Sequence, residues 1–315
     1  MKSPIVKVDA FFDSQKEPLD LKLVAGAKGL KRHIKEPTVN RPGLAMAGYL
    51  KYFAYKRVQV LGNAEMHFLK SLSRQESEAR CEELFRHRIP CFIFSRNLLP
   101  TKILLEKAEQ HHTPIFRSPH TTMRIINKAT LALEEMFAPR KGEQGSMVDI
   151  LGVGVIIKGK SGIGKSESVL ALIERGYSLV SDDVTQVRVL DEREIVGSSA
   201  ALTKDHMEVR GIGIINVAAM FGIKSIRSEK RVDVVVSLKE WSEVSDVDRI
   251  GLDVSSVTIL GVKIPHIVIP VRPGRDLARL IEVAAFQVKL RAAGHDSAEE
   301  FNQRLIAEMA KEVKK

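Results

Sequence analysis

Residues 159–166 read GKSGIGKS, preceded by the apolar run VGVIIK (153–158) and followed by ESVLALIERGY (167–177). Gly159, Gly164, Lys165 and Ser166 fit the spacing G-x-x-x-x-G-K-[ST]. This spacing demands a strand, a tight glycine loop and a helix in that order, so it commits this half of the chain to an α/β architecture. Glycines let backbone N–H groups converge on phosphate oxygens, and the helix start adds its positive end. Lys165 is the side chain that reaches the β and γ phosphates, and the Ser166 hydroxyl is a ligand for Mg²⁺. Alone, the motif says nucleotide or phosphate and does not name an acceptor.

Three later segments carry further chemistry. YSLVSDDV (177–184) reads as a strand ending in two carboxylates. Successive residues on a strand point to opposite faces, so Asp182 and Asp183 are expected to differ in role. One turns toward the phosphates and the other supports the loop. In MEVRGIGIIN (207–216), Glu208 and Arg210 fall on one strand face, followed by glycines and an apolar run. The carboxylate suits a Mg²⁺ shell, and the arginine suits phosphoryl charge. IPVRPGRD (269–276) places Arg272 and Arg275 around a Pro-Gly turn before a helix, a weaker anion-loop signal.

The first half alternates short apolar runs with helical ones. VQVLG (58–62), CFIFS (91–95) and PIFR (114–117) read as strands. Helices are expected from near Glu65, from Ser73 with its capping partner Glu76, from Pro100 to near His111, and from Thr121 to about Phe137. The pair His111 and His112 sits at a helix end and reads as a C-terminal cap rather than a metal site. APRKGEQGS (138–146) reads as a linker, dividing an N-terminal α/β domain over 1–137 from a P-loop domain over 147–315. In that domain VVVSL (234–238) and HIVIP (266–270) read as strands. Two helices then close the chain, one ending before Gly294 and one capped near Asp296 or Ser297.

Charge separates the halves. Residues 1–140 hold 24 Lys+Arg against 14 Asp+Glu, whereas 141–315 hold 25 of each. Neither a long basic run nor aromatic-basic interleaving marks a nucleic-acid groove, so no nucleic-acid partner is expected. No apolar run approaches the roughly 20 residues of a membrane span. Asp9, Asp13 and Glu17 argue against a signal peptide. Cys81 and Cys91 make neither a disulfide framework nor a metal site, and read as buried thiols of a cytoplasmic protein.

Taken together, GKSGIGKSE, LVSDD, MEVRGIGIIN and IPVRPGRDLARLIEVAA resemble the HPr kinase/phosphorylase family in order and approximate spacing. LVAGAKGLKRHI, NRPGLAMAGYL and RVQVLGNAEMHFL extend the resemblance over the first half. It implies an N-terminal α/β domain followed by a P-loop kinase domain with a PEP-carboxykinase-like core ending in helices. It also implies a cytoplasmic homohexamer using Mg²⁺ or Mn²⁺. Such an enzyme phosphorylates a serine of the phosphocarrier HPr with ATP or pyrophosphate, and removes that phosphate by phosphorolysis with inorganic phosphate. The family's phosphate loop falls on Gly159, Lys160, Ser161, Gly162, Ile163, Gly164, Lys165 and Ser166. Lys165, Asp183 and Arg249 take its catalytic positions, and Ser166 and Glu208 its metal ligands. A region serving both reactions matches Met207, Glu208, Val209, Arg210, Gly211, Ile212, Gly213, Ile214, Ile215 and Asn216. The dephosphorylation loop matches Pro270, Val271, Arg272, Pro273, Gly274 and Arg275.

One position departs. The resemblance places a functional histidine where this chain has Gln144, in QGSMVDI rather than HGVLVDI. Glutamine hydrogen-bonds but carries no proton charge. Competing readings are a non-catalytic nucleotide-binding regulatory switch, a nucleic-acid-binding ATPase and a P-loop small-molecule kinase. Against a GTP switch, the single NK, in NKAT (127–130), precedes the phosphate loop and lacks the Asp of N-K-x-D.

Overall fold

A computed structural model describes residues 5–191, 193–244 and 255–312. The chain forms two compact units, Met1–Ala138 and Pro139–Lys315.

The first unit is built on a five-stranded sheet. Its order is Lys22–Ala25, Ile115–Arg117, Phe92–Phe94, Val58–Leu61, Val39–Asn40, with the first strand antiparallel to its neighbour and the rest parallel. Alternation sorts the side chains between two cores. Phe92 and Phe94 enter one with Leu84, Phe85 and Leu104, while Ile93 enters the other with Ile125 and Leu133. Burial of both faces explains why these strands are short continuous apolar runs. Cys81 and Cys91 are unpaired and buried, one in each core, and burial raises both thiols above their ordinary pKa, Cys81 to about 11.

Helix starts follow local hydrogen bonding. Ser73 Oγ accepts the Glu76 N–H at 3.3 Å, and Glu76 accepts the Ser73 N–H at 2.9 Å, closing a capping box on Arg74–Arg86. Thr101 caps Lys102–Gln110 and Thr121 caps Thr122–Phe137. His111 is the C-cap of Lys102–Gln110, its Nε2 at 3.4 Å from Glu82. No cluster of three or more His, Cys, Asp or Glu side chains placed to hold a metal occurs among the described residues.

The second unit stacks helices, a six-stranded sheet and a four-stranded sheet. The larger sheet runs Ser178–Ser181, Ser146–Ile150, Val153–Gly159, Val234–Glu240, Val262–Val271, Ser255–Ile259. Val153–Gly159 is parallel to Val234–Glu240, which is parallel to Val262–Val271. Val155 and Ile157 face the core beneath Lys165–Glu174 and Leu277–Ala292, whereas Ile156 faces the core shared with the four-stranded sheet. Ser297–Glu312 is the last helix.

One expectation fails. Within 138–146, residues Arg140–Gln144 form a strand paired antiparallel with Val184–Leu190, with Gln144 opposite Val184. The segment is the edge of the four-stranded sheet rather than a linker. An edge strand facing water on one side is held by ladder hydrogen bonds and needs no apolar alternation, so RKGEQ carries no strand signature.

Candidate functional site

The strand Val153–Gly159 delivers the chain to the loop, and the loop turns on two glycines. Gly162 has φ 86° and Gly164, the N-cap of Lys165–Glu174, has φ 100°. A side chain at either position would be strained, which is why glycine stands at both. Ile163 points the other way, packing on the core below and anchoring the loop.

A cavity of about 850 Å³ opens over this loop. Gly159, Lys160, Ser161, Gly162, Gly164, Lys165 and Ser166 line it, together with Gln144, Asp183, Glu208 and Arg210. Residues from three separated segments therefore converge on the start of one helix.

The two neighbouring aspartates diverge. Asp182 is buried; its Oδ1 accepts the Ser146 hydroxyl at 2.7 Å and its Oδ2 accepts the Glu208 N–H at 3.0 Å. Asp183 turns outward with φ 54°, and its carboxylate accepts a hydrogen bond from Lys165 Nζ. Its backbone is clamped by the neighbouring strand: Gly145 N–H donates to the Asp183 carbonyl at 2.8 Å, and Asp183 N–H donates to Ser146 Oγ at 3.2 Å.

Glu208 sits on His206–Val209, which pairs with Gly213–Asn216 as a hairpin. Met207 and Val209 turn into the core, leaving Glu208 on the cavity side. Arg210, in the turn, donates to Ser161 Oγ of the phosphate loop. Gly211 and Gly213 have φ 85° and 107° and turn the chain. Ile215 packs on the core, while Ile212 and Ile214 are 75% and 77% exposed, against the buried run their apolarity suggests. Asn216 caps the helix Val217–Phe221, accepting the Ala219 N–H at 2.8 Å.

Pro270–Arg275 lies outside the cavity lining. Its Ile269 and Val271 flank pack on the core, and Gly274 takes φ 83° in the turn. Arg275 donates to the Pro270 carbonyl at 3.1 Å, pinning the loop on itself. Arg272 lies over the Trp241 ring at 3.4 Å from its centroid. Arg249 lies outside the described residues.

Sequence reasoning missed three contributors. Glu143 lines the cavity between Lys158 and Lys141, the latter at 3.1 Å. Burial opposes its ionisation, but hydrogen bonds from Lys158 and Lys141 outweigh that and hold its carboxyl below the usual range. Ser146 joins both aspartates. The turn Trp241–Glu243 touches both Pro270–Arg275 and the phosphate loop, since Trp241 meets Arg272 and Glu243 pairs with Lys160. That pairing raises the Lys160 ammonium above its ordinary pKa. Each of these depends on strand pairing or chain return, and spacing along the chain carries no signal for it.

Chemically, the site offers a glycine loop of the phosphate-binding type, a carboxylate bonded to its lysine, a second carboxylate lining the same cavity and an arginine bonded to the loop. Residues 6–133 match the family profile described as HPr Serine kinase N terminus, and residues 135–305 that described as HPr Serine kinase C-terminal domain. A protein of Geobacter sulfurreducens named HPr kinase/phosphorylase is 42% identical over 309 residues, 98% of this chain and 97% of its own. One of that name from Geobacillus kaustophilus is 42% identical over 289 residues, 92% of this chain and 93% of its own. A solved structure of the Hpr(Ser) kinase/phosphatase from Coxiella burnetii is 33% identical and covers 51% of this chain and 98% of its own, with a TM-score of 0.47.

Proposed function

This chain belongs to the HPr serine kinase family, and from that premise we propose that it is a bifunctional HPr kinase/phosphorylase. It phosphorylates a serine of HPr with ATP or pyrophosphate, and dephosphorylates phospho-HPr with inorganic phosphate. The observation that carries this reading is the convergence of Lys165, Asp183 and Glu208 on one phosphate-loop cavity.

Phosphoryl transfer needs positioning and charge neutralisation more than covalent chemistry. In the kinase direction, the loop amides and Lys165 hold the donor phosphates, and Asp183 orients the acceptor serine and takes its proton. The new bond joins serine Oγ to the γ phosphorus, the β–γ bridging bond breaks, and ADP departs. In reverse, phosphate attacks the phosphoserine phosphorus, and Asp183 returns a proton to the leaving serine oxygen. Pyrophosphate forms in the cradle. Lys165 is hydrogen-bonded to Asp183, so donor phosphates and the base compete for one ammonium. Arg210 and Arg249 neutralise developing charge, and the turn Pro270–Arg275, which lies outside this cavity, serves the phosphorolysis direction.

Ser166 and Glu208 both line the cavity and offer hard oxygen donors that would suit Mg²⁺. When bound, the ion neutralises phosphate charge. A homohexamer accords with the last helix, where Phe301, Ile306 and Met309 are each more than half exposed. No helix among the described residues is long and apolar enough to cross a membrane; the cytoplasmic location is inferred from the family.

The test is direct. Purified protein with HPr and ATP should yield serine-phosphorylated HPr, and phospho-HPr with phosphate should yield pyrophosphate. Lys165→Ala should abolish both. Phosphorylation of a small metabolite with HPr untouched would overturn the protein-substrate reading.

A further inference from the structure

The catalytic steps described above use none of the excess positive charge of the first 140 residues. Part of it gathers around one cavity. About 330 Å³ in volume, it is lined by His33, Lys35, Tyr55, Lys56, Arg86, His87, Arg88 and Pro90, with no carboxylate among them. Three separated segments each bring cations there: the end of strand His33–Ile34, the turn before Val58–Leu61, and the chain leaving helix Arg74–Arg86. Lys35 N–H donates to the Lys56 carbonyl at 3.2 Å, joining two of the segments. Arg32 joins the first to the third by donating to the Ile89 carbonyl.

Of the four Lys and Arg lining residues, Arg86 has a carboxylate partner, Glu82 at 3.2 Å. Lys35, Lys56 and Arg88 have none among the described residues. Arg32 stands close enough to Arg88 that, after burial, the Arg88 charge further lowers its pKa. Arg88 also holds φ 53°, a left-handed conformation that costs a non-glycine residue energy and recurs at ligand sites.

The C-terminal end of helix Arg74–Arg86 attracts cations and accounts for Arg86, His87 and Arg88. It does not account for Lys35 and Lys56, which arrive from elsewhere and add like charge to the same space. One apolar wall is aromatic: Tyr55 and His87 have ring centroids 5.5 Å apart, and Lys56 lies 6.0 Å from the Tyr55 centroid. The volume is at the small end of ligand cavities, and a cationic rim with a ring wall suits an anion carrying a sugar or base.

We propose that this cavity binds a small phosphate ester, at a site carried wholly by the first unit and distinct from the phosphate loop. The ester's phosphate sits among Lys35, Lys56 and Arg88, and its ring lies on Tyr55 and His87. The same surface reads less well as a nucleic-acid track, because its cations surround one concavity rather than follow a groove.

The experiment is calorimetric titration of the full-length protein with pyrophosphate, AMP and ribose 5-phosphate at 150 mM salt, where diffuse surface charge is largely screened. Pyrophosphate should occupy two sites per chain. One is removed by Lys165→Ala, and the other is weakened at least about tenfold by Lys56→Glu, the order expected for one lost charged hydrogen bond. Arg88→Gly removes the charge while relieving the strained φ, so it should weaken the same site without lowering Tm. Lys70→Glu, an equal charge change at an exposed residue off the cavity, should leave it intact. AMP binding more tightly than ribose 5-phosphate, with the difference lost in Tyr55→Ala, identifies a nucleotide; equal binding of the two identifies a sugar phosphate. A single pyrophosphate site that Lys165→Ala removes would overturn the proposal. So would a second site weakened as much by Lys70→Glu as by Lys56→Glu, or a labelled oligonucleotide binding there when none of the three small anions does. A single site that Lys165→Ala spares but Lys56→Glu weakens would sink the cradle reading and leave this one standing.

Discussion

Asp182 Oδ2 accepts the backbone N–H of Glu208 at 3.0 Å, so a buried carboxylate fixes the position of an exposed one. The other oxygen of Asp182 takes the Ser146 hydroxyl, tying the hairpin of Glu208 to strand Ser146–Ile150, the antiparallel neighbour of the strand that enters the phosphate loop. Asp182→Ala should leave a buried N–H and a hydroxyl unpaired and cost about 1–3 kcal/mol in denaturant unfolding. It should also weaken Mn²⁺ binding roughly 10–100-fold, as loss of an outer support does. In Asp182→Asn the amide keeps one acceptor for Glu208, and the rotatable Ser146 hydroxyl accepts from its NH₂. Stability and metal binding should then stay near wild type. Equal damage from Ala and Asn would show that charge, not hydrogen bonding, holds the hairpin.

Asp183→Asn isolates proton transfer from folding. Asparagine tolerates the left-handed backbone at φ 54° as aspartate does, so the fold should be retained, whereas alanine there adds strain. Kinase and phosphorolysis rates should both fall by at least about 10²-fold, the lower bound for losing a general acid–base group. An unchanged kinase rate with circular dichroism like wild type would remove Asp183 from the chemistry.

The phosphate loop was legible because its chemistry fixes both residue type and spacing: a glycine at each left-handed position, a lysine and a hydroxyl at the helix start. Helix caps were legible for the same local reason, as with Ser73 and Glu76. The strand Arg140–Gln144 was not, since an edge strand paired through its backbone shows no apolar alternation. Trp241 was also silent. Its value lies in meeting Arg272, 31 positions on, because two parallel strands end side by side. Divergence of Asp182 from Asp183 was readable from strand alternation, but which one turned inward depended on Ser146 in a neighbouring strand.

Gln144 lines the cavity directly opposite Val184 in the ladder, next to Asp183, so a side chain there faces the cavity. Gln144→His places a group with pKa near 6.5 in that position. The rate of at least one direction should rise above wild type, and its pH profile should gain an inflection between about pH 6 and 7. Gln144→Ala should leave the pH profile unaltered in shape. An unchanged profile and rate in Gln144→His would mean that position 144 acts only through hydrogen bonding.

Glu82 gives the first unit a pH-dependent anchor. Its Oε2 accepts Lys107 Nζ at 2.7 Å, its Oε1 accepts Arg86 at 3.2 Å, and His111 lies 3.4 Å away. The Lys107 hydrogen bond foremost, with those from His111 and Arg86, outweighs desolvation and pulls the carboxyl down to about 2. A carboxylate whose folded pKa lies below its unfolded value stabilises the fold above the unfolded value, and that contribution fades as pH falls toward the folded one. Wild type should therefore melt higher than Glu82→Gln at pH 6. The gap should narrow from about pH 4.5 downward and close near pH 2. Because salt screens a partly exposed pair, 0.5 M NaCl should shrink the gap at pH 6 as well. A Tm difference that stays constant from pH 6 to pH 2 would show that Glu82 acts by packing rather than by charge.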